Sequence, residues 1–89
     1  MNSMLYCVFG YANREDAKNK ERGHLYWFNP RMICIVKSYA DEKLANIHMA
    51  ISYESIWCNL GEWETVIKEI HDNYRSPKDV RIQEVVVTK

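Results

Sequence analysis

The sequence predicts an α+β fold in which one amphipathic helix, at about residues 60–74, packs on one face of a mostly antiparallel sheet of four to five strands. Two observations support this fold class. Most apolar residues fall in strand-length runs, and only one segment repeats its apolar residues at clear helical spacing. The 89 residues are expected to form one compact domain, because chains below about 150 residues seldom divide into two cores.

The first half of the chain is expected to form three strands. Residues 3–11 and 31–37 are apolar at both alternating positions, which is typical of strands buried on both faces. Residues 24–29 are predicted to return beside the first strand, and Pro30 ends them because proline donates no ladder hydrogen bond. Between these two strands, residues 12–23 hold seven charges and only alanine as apolar content. They are therefore predicted not to pack on a core, either as a solvated helix without an apolar stripe or as a long charged excursion between the two strands.

Residues 38–55 fit two structures. Four of their side chains would share one face of a helix beginning at Ser38: Leu44, Ile47, His48 and Ile51. Alternatively, apolar and polar residues alternate over 47–53, as they do in a half-exposed strand. We favour the strand, reached through a turn at 41–44.

The helix at 60–74 has the strongest signal. Its apolar stripe follows the 3.6-residue period through Trp63, Val66, Ile67, Ile70 and Tyr74. Asn59, followed three residues later by Glu62, predicts the N-cap, and Ser76–Pro77 ends the helix. Trp57 and Cys58 are expected to enter the core just before it. Residues 80–87 are predicted to be the last strand.

Composition excludes several classes of protein. Twelve Lys and Arg balance twelve Asp and Glu, and zero net charge argues against a general binder of nucleic acid or membrane surfaces. No apolar run approaches the ~20 residues of a membrane span, and no standard secretion signal is expected. The three cysteines have no regular spacing and are expected to be reduced thiols. A cytoplasmic location follows from these observations.

Neither a metal nor a cofactor is expected. The sequence contains no CxxC, no HxxxH and no glycine-rich phosphate loop. Cys58 precedes the helix N-terminus, where a positive dipole lowers a thiol pKa, but no base can be assigned to it. His24 beside Arg22 and Lys20 is the nearest approach to a phosphodiester-cleaving site. A small metal-independent nuclease-like enzyme is therefore the third hypothesis.

Because no catalytic constellation emerges, the sequence favours a small non-enzymatic module that binds a protein. It would act as an inhibitor, immunity factor or adaptor by occluding a macromolecular partner. The predicted contact residues are Arg14, Lys18, Lys20, Arg22, His24, Tyr26 and Trp27. Neutralising the four cations among them is expected to abolish binding with thermal stability nearly unchanged. The second candidate surface is the acidic helix face of Glu62, Glu64, Glu69 and Asp72.

RNA binding through the basic and aromatic hairpin 14–28 is the second functional hypothesis. Residues 22–28 (RGHLYWF) resemble the aromatic strand of an RNA-recognition motif. That fold has a core helix between its first two strands, whereas 12–23 has no apolar face to dock. The sequence also predicts a homodimer, because one helix covers one sheet face and a second copy is the simplest cover for the other.

Overall fold

The computed structural model describes residues 5–50, 54–74 and 80–88. These residues form six strands and two α-helices. In chain order they are β1 (Tyr6–Tyr11), α1 (Arg14–Asn19), β2 (His24–Phe28), β3 (Ile33–Tyr39), β4 (Leu44–Met49), β5 (Ser55–Asn59), α2 (Leu60–Asn73) and β6 (Gln83–Val87). Single 3₁₀ turns, Pro30–Met32 and Ala40–Glu42, precede β3 and β4. The predicted α+β class with one main helix is confirmed.

All six strands belong to one sheet, in the order β2-β1-β5-β4-β3-β6. Four neighbouring pairs are antiparallel, whereas β6 runs parallel to β3 at the far edge. The sheet is therefore mixed and six-stranded, larger than the four to five mostly antiparallel strands predicted. The parallel strand arises because α2 returns the chain across the sheet, so that β6 enters in the same direction as β5.

The middle of the chain differs from the prediction in two ways, and the second of them adds the sixth strand. The segment after residue 38 is a strand, as favoured, but it begins at Leu44 rather than Ile47. Lys43 allows the early start because its left-handed backbone (φ 57°) turns the chain directly into β4. Ser55–Asn59 forms β5, a strand absent from the prediction, and residues 51–53 lie outside the described part of the chain.

The main core lies between α2 and one face of the sheet, here called the helix face. Trp63, Ile67 and Ile70 are the buried residues of α2, which confirms its predicted apolar stripe. They pack with buried strand residues such as Val8 and Ile47. The predicted N-cap is also confirmed, because the Asn59 side-chain oxygen accepts a hydrogen bond from the Glu62 N–H at 3.0 Å.

The other sheet face, here called the open face, is covered at one end by α1. Ala17 is buried there with Tyr11 and Leu44, and Trp57 packs against them. Asp16 is buried as well, with 6% of its surface exposed. The expectation that residues 12–23 make no core contact is therefore wrong. Because α1 lies flat on one end of the sheet, a single alanine is enough to form an apolar contact with it.

Candidate functional site

The rest of the open face exposes a cluster of apolar side chains, here called the open-face patch. Its members are Leu5, Cys7, Phe9, Leu25 and Trp27. Cys7 lies opposite Trp27, and Phe9 opposite Leu25, in the β1–β2 ladder. Phe9 is 44% exposed, Leu25 58%, Leu5 61% and Trp27 63%. The four large side chains together present on the order of 500 Å² to solvent.

Strand alternation creates this patch. Successive side chains of a strand point to opposite faces, so Cys7 and Phe9 lie on the open face while Val8 enters the core. Leu5 precedes β1 at the position that the same alternation assigns to the open face. The patch lies at the β1–β2 end of the sheet, beyond the area that α1 covers.

The turn between α1 and β2 lies where the area covered by α1 meets the open-face patch. A Cβ atom at Gly23 would lie 2.5 Å from the ring of Phe9 and 2.6 Å from that of Tyr11. Those two rings meet edge to face, with their centroids 5.6 Å apart. Lys20 and Arg22 adopt left-handed backbone conformations, with φ of 57° and 58°, which return the chain tightly from α1 into β2. Any larger residue at position 23 would therefore require the two rings to move.

Two of the predicted contact cations, Arg14 and Lys18, connect α1 to the turn before β4 through Glu42. The Lys18 Nζ lies 2.8 Å from Glu42 Oε1, and the Arg14 Nε donates to Glu42 Oε2 at 2.9 Å. Hydrogen bonds from Lys18 and Arg14 hold the pKa of Glu42 below its ordinary value. The Arg14 guanidinium also lies over the ring of Tyr39, 4.6 Å from the centroid, and over Trp57 at 5.3 Å. Both cations thus have a structural role.

A third cation stabilises the turn itself. Arg22 forms a salt bridge with the buried Asp16, and its Nε donates to Asp16 Oδ2 at 3.2 Å. The hydrogen bond and charge of Asp16 raise the pKa of Arg22. Asn13 caps α1 by accepting from the Asp16 N–H at 2.9 Å. Neutralising the cations of this segment is therefore expected to lower thermal stability, contrary to the expectation from sequence.

Replacing Glu42 by glutamine tests this network. The pKa of Glu42 is lowered by folding, so its stabilising effect is present above the ordinary value of 4.5 and is lost as pH falls through the folded value. We expect Glu42→Gln to lower Tm at pH 7, with a difference from wild type that shrinks on acidification. Glu69→Gln, on the exposed side of α2, is the control for thermal melts between pH 3 and pH 7. A pH-independent difference would show that the carboxylate charge has no such role.

The remaining predicted contact residues do not share one surface. Trp27 lies in the open-face patch, whereas Tyr26 is partly buried on the helix face and packs against the core. His24 is exposed, with its ring centroid 5.5 Å from that of Tyr26. The structure instead joins Trp27 with Phe9 and Leu25, which sequence reasoning did not single out. The signal was the alternation of Leu25 and Trp27 along one strand.

Two acidic side chains of α2, Glu62 and Asp72, contact other residues of the protein. The Glu62 carboxylate accepts a hydrogen bond from the backbone N–H of Phe9. The Lys68 Nζ lies 3.4 Å from Asp72 Oδ2, one helical turn away. Glu62 therefore joins the start of α2 to β1, at a point where β1 is not paired with β5.

The three cysteines differ in how deeply they are buried. Burial of Cys58, assisted by the negative charge of Glu62, raises the pKa of its thiol to about 12. Cys58 lies in the main core, as expected, and the burial of its thiol outweighs any lowering of its pKa by the helix N-terminus. Cys7 and Cys34 are half-buried, and all three cysteines are free thiols. Among the described residues, no group of three or more His, Cys, Asp and Glu side chains could hold a metal ion.

A depression of about 210 Å³ lies beside α1, below the ~300 Å³ at which ligand pockets begin. Its lining is Arg14, Tyr39, Asp41, Glu42 and Val87. Because Arg14 and Glu42 are bound to each other, the pair offers little uncompensated charge for recognising a small ligand. This depression is therefore a weaker candidate site than the open-face patch.

Over the ranges that the structure describes, neither helix combines the length and apolar character needed to cross a membrane. No protein-family model matches the chain, and no curated protein or solved structure shows significant similarity to it.

Proposed function

We propose that this protein is a small non-enzymatic cytoplasmic module that binds a partner protein and acts by occluding it, as inhibitors, immunity factors and adaptors do. The observation that carries the proposal is the open-face patch. Four of the five large exposed hydrophobic side chains among the described residues lie in it. Contiguous apolar surface of this size on a small domain is typical of protein-interaction sites.

The energetics favour a covered patch. Removing roughly 500 Å² of apolar surface from water stabilises a complex by on the order of 10 kcal/mol before the entropic cost of association. Trp27 supplies the large aromatic side chain that most often dominates binding energy at protein interfaces. We therefore assign Trp27 as the central contact, with Phe9 and Leu25 beside it.

The rim of the patch indicates the chemistry of the partner. Next to Gly23, the side chains of Glu21 and Arg22 are 58% and 70% exposed, and they carry opposite charges. Charges of both signs at this border of an apolar centre match a protein surface that is apolar in its middle and charged at its edge. Arg14, Lys18, Lys20 and His24 remain proposed contacts outside this centre.

RNA binding is the second candidate, because Phe9 and Trp27 expose aromatic rings on a sheet face as stacking platforms do. Such platforms work together with cations that neutralise phosphate. No patch member is charged, and Arg14, Lys18 and Arg22 are each bound to a carboxylate of the chain. This electrostatic balance favours a protein partner.

The test is an affinity pull-down from lysate of the cells that make the protein, with and without nuclease. Three tagged proteins are compared: wild type, a Leu25→Ser/Trp27→Ser double variant, and Val86→Ser as control. Val86 is 70% exposed on β6 at the opposite sheet edge, so Val86→Ser also replaces an exposed apolar strand residue by serine but leaves the patch intact. Thermal melts confirm that each protein is folded.

We expect wild type and Val86→Ser to recover the same partner protein whether or not nuclease is added. The double variant is expected to recover at least tenfold less of it, because truncating the centre of an interface removes most of the binding energy. Equal recovery by the folded double variant would refute the patch as the binding site. Nuclease-sensitive recovery of nucleic acid would instead support RNA binding.

A further inference from the structure

We infer that the binding surface is completed by a second copy of this chain, joined to the first through antiparallel pairing of their β2 strands. This inference rests on the proposed function and specifies how its site is assembled. The patch would remain on the open face of the joined sheet, because pairing at a strand edge does not cover either face.

β2 is an edge strand without the usual protection against pairing. It lies at one end of the sheet order and pairs with β1 through five consecutive residues without a bulge. Edge strands are normally protected by lysine, proline, bulges or inward-facing charges. The sequence of β2, HLYWF, contains neither lysine nor proline nor a carboxylate.

Backbone direction shows which groups face the free edge. The Phe9 N–H binds Glu62, on the side of β1 away from β2. In an antiparallel ladder, residues opposite each other either both point their backbone groups at the partner strand or both point them away. Leu25, opposite Phe9, therefore directs its N–H and C=O to the outer edge, and Trp27, two residues on, does the same.

This edge is complementary to itself. A twofold axis at Tyr26 places Leu25 of one copy opposite Trp27 of the other, with four backbone hydrogen bonds across the pair. The two Leu–Trp pairs lie on the open face as cross-strand neighbours, where apolar pairs stabilise a sheet. The zero net charge of the chain gives no overall repulsion between copies.

One copy presents too little apolar surface to form a specific interface with a partner protein. A specific interface needs about 800 Å² from each side, whereas one open-face patch presents on the order of 500 Å². β2–β2 pairing places two patches side by side and creates one continuous apolar surface of on the order of 1,000 Å². The second copy thus contributes its own Leu25 and Trp27 to the site.

The test compares Leu25→Pro with Leu25→Ala. Proline removes the outward N–H without removing a β1–β2 hydrogen bond and keeps an apolar side chain, whereas alanine keeps the N–H and removes more of the side chain. Sedimentation equilibrium reports whether the mass is 10.6 kDa or twice that value. We expect a dimer for wild type and Leu25→Ala, and at least a tenfold weaker dimer for Leu25→Pro.

Amide hydrogen exchange of wild type gives a result that does not depend on the proline variant folding. The amides of Leu25 and Trp27 are expected to become protected as protein concentration rises, while that of Tyr26, bonded to β1, is protected throughout. A dimer whose Leu25 and Trp27 amides stay unprotected, or that persists in folded Leu25→Pro, would overturn the inference. A wild-type monomer that binds its partner through the patch would overturn this inference alone, whereas a β2-paired dimer without a partner would overturn only the proposed function.

Discussion

Replacing Trp63 by alanine is expected to remove a large share of the stability of the fold. Trp63 is 2% exposed and is among the largest fully buried side chains, with its ring centroid 6.3 Å from that of Phe28. Truncating a buried tryptophan costs ~3–5 kcal/mol. A domain of this length has a free energy of unfolding of roughly 4–13 kcal/mol. If the wild type lies at the lower end of this range, the variant retains little or no stability.

Urea unfolding followed by circular dichroism measures this loss. Glu64→Ala, at the neighbouring exposed position of α2, is the control and is expected to change the free energy of unfolding by less than about 0.5 kcal/mol. A Trp63→Ala midpoint that shifts as little as that of the control would show that α2 is not held to the sheet through this residue.

The second large effect is expected at Gly10, in the middle of the sheet. A Cβ atom there would lie 2.6 Å from Cγ2 of Ile56 and 3.1 Å from both the carbonyl oxygen of Trp57 and Cδ1 of Tyr26. At an ordinary strand position, replacing glycine by alanine raises stability by ~0.5–1 kcal/mol. Here we expect Gly10→Ala to lower it by ~1–3 kcal/mol, because β1 cannot move away from both neighbouring strands.

A double-mutant cycle identifies the cause of that loss. Ile56→Ala removes the closest methyl group, so Gly10→Ala is expected to cost less in the Ile56→Ala background than in wild type. The free energies of unfolding of the four proteins in urea provide the comparison. Equal costs in the two backgrounds would exclude the Ile56 contact as the source of the destabilisation.

The elements predicted well from sequence are those specified by neighbouring residues. The helix α2 was predicted to within about a residue at its end, because both its apolar stripe and its Asn59 cap are local patterns. β5 was missed because five residues that lead directly into a helix are too few to display a period. Its identity as a strand depends on pairing with β4 on one side and, on the other, with β1, which lies far away in sequence.

Residues 12–23, the charged segment, also combine features that local sequence predicts with contacts that it does not. Its composition correctly predicts a mostly solvated surface, but α1 is held to the fold by residues remote in sequence. Glu42, which binds Arg14 and Lys18, is 28 residues from Arg14. Leu44, which packs with the buried Ala17, is similarly remote in the chain. No local pattern could show that these cations stabilise the fold rather than remain free for a partner.

For the candidate site, the residues themselves determine that β2 is apolar, aromatic and uncharged, and that Leu25 and Trp27 share one face. Local alternation is sufficient for both conclusions. Only the tertiary structure decides which face α2 covers, how far α1 extends over the other, and that β2 lies at an edge. These outcomes depend on strand order and helix packing, which are set by contacts between distant residues, and they are what leaves Phe9, Leu25 and Trp27 exposed together.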